Sequence, residues 1–166
     1  ALAVLDVVEG AAVEALAGMP AYVARRPAAF DSVSDAIGWH ISSRTVRDAA
    51  SARVSVPGAV RGGDNGVVWA TDLAATAPFW PGWFAGLSAR FLAAGGAKLL
   101  VLAGTDRLDR ALTIAQMQGR YQLEVVPDAG HFVHEDRAGT VGGLLAEFWR
   151  RNSRSAPVLP PGAWTA

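Results

Sequence analysis

YQLEVVPDAGHFVHED, Tyr121 to Asp136, is the stretch on which the fold turns. Its first half carries Leu123, Val125 and Val126 and stops at Pro127. Val and Tyr favour a strand, and Pro and Gly end one. Gly130 then sets His131 on a turn, and from Arg137 to Arg151 apolar residues recur at helical spacing. A histidine between a buried strand and a helix has a rigid support. It stands at the sheet edge where ligands bind, well placed to move a proton.

The neighbouring segments continue the rhythm. KLLVLA, Lys98 to Ala103, is a short unbroken apolar run, as expected of a parallel strand covered on both faces. GTDRLD, Gly104 to Asp109, is its turn, and Arg110 to Gln118 a helix ending at Gly119. Strand and helix alternating over Lys98 to Arg151 predict an α/β fold with parallel strands. Leu2 to Val8 reads as a further buried strand, interrupted by Asp6. Between these strands, Ala11 to Arg26 and Ser34 to Val46 read as helices, the second capped by Ser32 or Ser34. Val54, Val56 and Val60 suggest a short strand punctuated by Pro57-Gly58, RGGDNG (Arg61 to Gly66) a surface loop, and Val67 to Leu73 a strand-like segment. The aromatic run FWPGWF, Phe79 to Phe84, reads as core or lid wall leading into a helix through Phe91. The expected organisation is one α/β domain over 1–151, with a lid at about 11–92 and a loose Pro-rich tail over 152–166.

Composition narrows the function. Fifteen basic and fifteen acidic side chains cancel without forming blocks, which argues against nucleic acid or an acidic membrane surface as partner. Half the residues (51%) are hydrophobic, yet no apolar run approaches the roughly 20 residues of a membrane helix. The absence of Cys excludes thiol catalysis and thiolate metal sites and fits a reducing compartment.

Asp6, Asp106 and Asp109 are the candidate acids for His131, all at or near strand ends. Turn and cap duty accounts for Asp106 and Asp109. It accounts less comfortably for Asp6, because a carboxylate inside an apolar run must be paired. His134 follows His131 by one helical turn, but with only His40 besides and no HExxH a metal site is not indicated, and no cofactor is expected. Glu135 and Asp136 are expected to serve the N-terminus of the last helix. A nucleophile is missing: no GxSxG occurs, and the nearest approach, Gly86-Leu87-Ser88-Ala89-Arg90, follows no strand.

Six stretches taken together identify a resemblance. LDVVEGAAVEAL (Leu5 to Leu16), SARVSVPG (Ser51 to Gly58), FWPGWFAGLS (Phe79 to Ser88), KLLVLAGTDRLD (Lys98 to Asp109), LTIAQMQG (Leu112 to Gly119) and GHFVHED (Gly130 to Asp136) are similar to the protein phosphatase methylesterase family. The match runs in order from Ala1 to about Arg151 and corresponds to the C-terminal half of that α/β-hydrolase. The resemblance implies a serine carboxylesterase that removes the methyl ester from the C-terminal leucine of the protein phosphatase 2A catalytic subunit. It implies Asp6 as triad acid and His131 as triad base, with the nucleophilic Ser outside this chain and the chain alone inactive. It also implies a cytoplasmic or nuclear setting. Strand spacing alone favours Asp106, and the resemblance favours Asp6. The alternatives are half of another esterase or lipase with Asp106 as acid, or a non-catalytic phosphatase-binding module.

Overall fold

The computed structural model describes residues 1–104 and 108–153; the candidate acid Asp106 and the Pro-rich segment from 154 onward lie outside the described residues. The chain opens with β1 (Leu2–Leu5), shorter than the apolar run because Asp6 takes a left-handed φ of 48° and ends it. Two helices follow where one was expected, α1 (Glu9–Leu16) and α2 (Met19–Arg25). Gly18 separates them, and Pro20 sits in the first turn of α2, where its missing N–H costs nothing. β2 (Ala29–Phe30) leads to α3 (Val33–Ser42), whose N-cap is Ser32, accepting from the Asp35 N–H at 3.2 Å.

The expected strand around Val54 and Val56 is instead the helix α4 (Ala49–Ala59). Asp48 caps it by accepting from the Ser51 N–H at 2.7 Å, and that bond holds the Asp48 carboxyl below its ordinary range. Ala52 and Val56, one helical turn apart, are buried while Val54 is 83% exposed. Four-residue burial periodicity therefore prevailed over the β-branched preference of the valines. Pro57 lies in the last turn of α4. RGGDNG is likewise no plain loop: β3 (Val60–Gly63) and β4 (Gly66–Trp69) pair antiparallel around Asp64-Asn65, and β2 joins them in the order β2-β4-β3. Gly66, at φ 122°, would carry a Cβ only 2.2 Å from the Phe30 carbonyl oxygen, so no other residue closes this hairpin without displacing β2.

A 3-10 turn (Ala74–Phe79), α5 (Trp80–Trp83) and α6 (Leu87–Ala93) return the chain to β5 (Lys98–Leu102). In the aromatic run, Trp80 is buried and donates through Nε1 to the Thr76 hydroxyl at 2.8 Å, whereas Phe79 and Trp83 are exposed. α7 (Arg110–Met117), β6 (Gln122–Val125), α8 (Val133–Asp136) and α9 (Ala138–Asn152) complete the described chain.

The main sheet is parallel in the order β1-β5-β6, with Leu2 opposite Lys98 and Leu99 opposite Gln122. β5 lies between its partners, and its side chains alternate between two cores. Leu100 and Leu102 pack with Val8, Phe91, Leu112 and Tyr121, while Leu99 and Val101 pack with Val126, Val133, Val141 and Phe148. Burial on both faces is the reason KLLVL carries no polar alternation. The segment between β1 and β5 has its own core, built on Phe30, Ala36, Val46, Ala52, Val56 and Val60. Among the described residues, no helix is long and apolar enough to cross a membrane.

Candidate active site

Asp6 and His131 leave the same edge of the main sheet, one after β1 and the other on the loop after β6. The Asp6 N–H still donates to Val101 O at 2.8 Å, so the residue is anchored to β5 as its backbone turns away. Its side chain is 1% exposed. Oδ1 accepts from the Ala103 N–H at 3.0 Å, and Oδ2 lies 3.0 Å from Nδ1 of His131. These contacts offset the cost of taking a carboxylate out of water.

Adjacent strands stand about 4.8 Å apart, so β1 and β6 are separated by the width of β5. The loop after β6 closes that gap. Val126 extends the ladder with its N–H on Leu102 O at 2.8 Å, and Asp128, at φ 60°, then turns the chain back. Val133, wholly buried under the sheet, fixes the far side of the turn. His131 between them is exposed over 64% of its side chain.

The pairing favours one tautomer of a neutral ring. An ionised carboxylate only accepts, so the neutral imidazole holds its proton on Nδ1 and donates it to Asp6. Nε2 is left with a free lone pair, and among the described residues nothing hydrogen-bonds to it. An imidazole so oriented, exposed at Nε2 and backed by a buried carboxylate, can take a proton from a hydroxyl and stabilise the resulting charge.

The other candidates lie elsewhere. Asp109 caps α7, accepting from the Leu112 N–H at 2.9 Å. Ser88 is buried and donates to Asp109 Oδ2 at 2.5 Å, and its own N–H donates to Glu9, which takes the place of a cap on α6. The serine of the nearest GxSxG approach is thus bound into the fold away from His131. His134 stands 3.9 Å from Glu135 and contacts the Phe132 ring. Among the described residues no group of three or more His, Asp or Glu could hold a metal ion. Glu135 and Asp136 do not serve α9, contrary to expectation. Glu135 accepts from the Ser55 hydroxyl at 2.6 Å, and Asp136 accepts from the backbone of Gly130 and Arg47. α8 and α9 are separate helices meeting at Arg137, whose backbone is non-helical, and the N-terminus of α9 has no side-chain cap because both carboxylates are engaged elsewhere.

A cavity of about 320 Å3, for which no sequence motif is a signal, lies beside Phe132, walled by Tyr22, Arg26, His40 and Trp69 among others. The Arg26 guanidinium lies 3.6 Å above the Trp69 ring, and burial lowers its pKa. The Trp69 Nε1–H donates to Pro27 O at 2.7 Å, which braces the stack. Phe132 connects this cavity to the site, its ring 5.3 Å from that of His131.

A family model described as "Alpha/beta hydrolase family" matches residues 1–142, and the chain belongs to that family. Solved structures agree on the fold. An E-2-(acetamidomethylene)succinate hydrolase superposes with a TM-score of 0.68 at 18% identity, over 89% of this chain and 57% of that one. An M. tuberculosis esterase superposes with a TM-score of 0.57 at 24% identity, over 87% of this chain and 53% of that one. Within the family, curated proteins similar to this chain carry the name protein phosphatase methylesterase 1. The one from Emericella nidulans is 55% identical over 97% of this chain and 41% of its own length. The one from Schizosaccharomyces pombe is 52% identical over 96% of this chain and 47% of its own length. The chain therefore spans less than half the length of these curated relatives.

Proposed function

We propose that this chain supplies the acid and the base of a serine carboxylesterase that demethylates the C-terminal leucine of the protein phosphatase 2A catalytic subunit. The observation that carries the reading is the 3.0 Å bond between a buried Asp6 and the exposed His131, in a chain so similar to methylesterases. His131 Nε2 takes the proton of a serine hydroxyl as that oxygen attacks the ester carbonyl, and returns it to the departing methanol. Water then repeats the cycle and frees the carboxylate. Asp6 keeps the proton on Nδ1 and stabilises the imidazolium. The chain contains no GxSxG, so the serine and its oxyanion hole come from residues outside it. Within the 1–151 hydrolase domain, the segment from Ala11 to about Leu92 acts as the lid over the site. A substrate of this kind sets the reaction in the cytoplasm or nucleus.

The test grafts this chain into the Emericella nidulans relative in place of the matching segment and follows methanol release from methylated phosphatase catalytic subunit. We expect the chimera to be active, His131→Ala to abolish turnover, and Asp6→Asn to lower it by about four orders of magnitude through the wrong tautomer. Asp106→Asn should be far milder than Asp6→Asn. A crippling Asp106→Asn with a tolerated Asp6→Asn would transfer the acid to Asp106 and favour a general esterase. The ungrafted chain should show no turnover.

A further inference from the structure

His131 presents a problem of positioning. Its imidazole is 64% exposed, so little packs against it besides Phe132. Its geometry toward Asp6 must come from the backbone on either side. Val133 fixes one side by burial. On the other side is Gly130, whose N–H donates to Asp136 Oδ2 at 2.6 Å. Asp136 is itself buried, its side chain 1% exposed, and its Oδ1 accepts from the Arg47 N–H at 2.7 Å. The Arg47 Nε lies 3.8 Å from Oδ2. A Cβ on Gly130 would come within 3.0 Å of both that Nε and Oδ2, so the turn and the clamp fit against each other without slack.

We propose that Asp136 is a positioning residue. By gripping the Gly130 and Arg47 amides with its two carboxylate oxygens, it fixes the turn before His131 to the entry of α4 and so keeps Nδ1 on Asp6. The proposal rests on the reading of His131 as the base. The chemistry requires an acceptor at both positions, and among short side chains only Asp supplies it; Asn offers one oxygen and a nitrogen that cannot accept. The remaining bonds between α8 and α4 run from the Ser51 hydroxyl to Glu135 O at 2.8 Å and from the Ser55 hydroxyl to the Glu135 carboxylate. They join the helices without touching Gly130, which makes them the right control.

The experiment is proton NMR of the whole chain at neutral pH, following the far-downfield resonance of the His131 Nδ1 proton, assigned by its loss in His131→Ala. In Asp136→Asn that resonance should vanish, or exchange with water about tenfold faster, as the loss of one charge-assisted hydrogen bond implies. In Ser55→Ala it should persist, even at an equal drop in melting temperature. Gly130→Ala gives the same readout by pressing on the clamp, and decides the matter if Asp136→Asn does not fold. Unchanged exchange in either folded variant would overturn the proposal, as would loss in Ser55→Ala at matched stability. Absence of the resonance from the unmodified protein would instead refute the pairing with Asp6, and the reading of the base with it.

Discussion

An aspartate at φ 48° has few replacements. A left-handed backbone costs most residues about 1–2 kcal/mol, and Asn and Asp tolerate it best through local hydrogen bonds of their short side chains. Asp6 meets this demand while accepting from Ala103 N–H and bonding to His131. Charge and conformation can therefore be separated by mutation. Asp6→Asn should retain the turn, whereas Asp6→Ala should be less stable than Asp6→Asn by about 1–3 kcal/mol in urea unfolding, since Ala lacks both the acceptor and the tolerance. Equal stability of the two would mean that the turn makes no demand on residue type. In the sequence, Asp6 was conspicuous as a charge within an apolar run, and His131 as the residue after Gly130. The clamp was not visible, because Asp136 reads equally well as a charge for the following helix. Only the three-dimensional return of the chain shows that its carboxylate points back to Gly130.

Elements with a single strong periodicity were legible. β5, β6, α7 and α9 stand within a residue or two of their expected ends, since continuous apolar runs and helical spacing leave little choice. The segment between β1 and β5 is less legible. In α4 the signals conflicted, with Pro57-Gly58 and three valines pointing to a broken strand, and the Asp48 cap and the Ala52–Val56 spacing to a helix. In the β3–β4 hairpin the glycines of RGGDNG masked a two-residue turn, because polar glycine-rich sequence suits loop and hairpin alike. The hairpin's dependence on Gly66 can be measured. Gly66→Ala should cost more than about 1 kcal/mol in urea unfolding, since the native φ is unsuited to Ala and the Phe30 carbonyl has to move. Gly62→Ala, whose Cβ meets nothing within 4 Å, should be close to neutral. Equal effects would show that β2 yields to the new methyl.

At the scale of the molecule, β5 is flanked by two strands with very different histories. β6 follows it after a single helix, α7, whereas β1 pairs with it across the whole intervening segment, Leu2 meeting Lys98. Closing the longer loop costs more chain entropy, and contacts distant in sequence form late. The βα unit of β5, α7 and β6 and the separate core around Ala52 can each gather from local contacts, leaving β1 to dock last. Val4→Ala in β1, beside Leu100, should therefore speed unfolding, by about tenfold for each 1.4 kcal/mol lost, and leave the folding rate nearly unchanged. Slowed folding in stopped-flow measurements would put β1 in the nucleus instead. Docking β1 last also dates the site. Asp6 travels on that strand, so on this order its meeting with His131 belongs to the final step of folding, and the site is assembled only as the native state is reached.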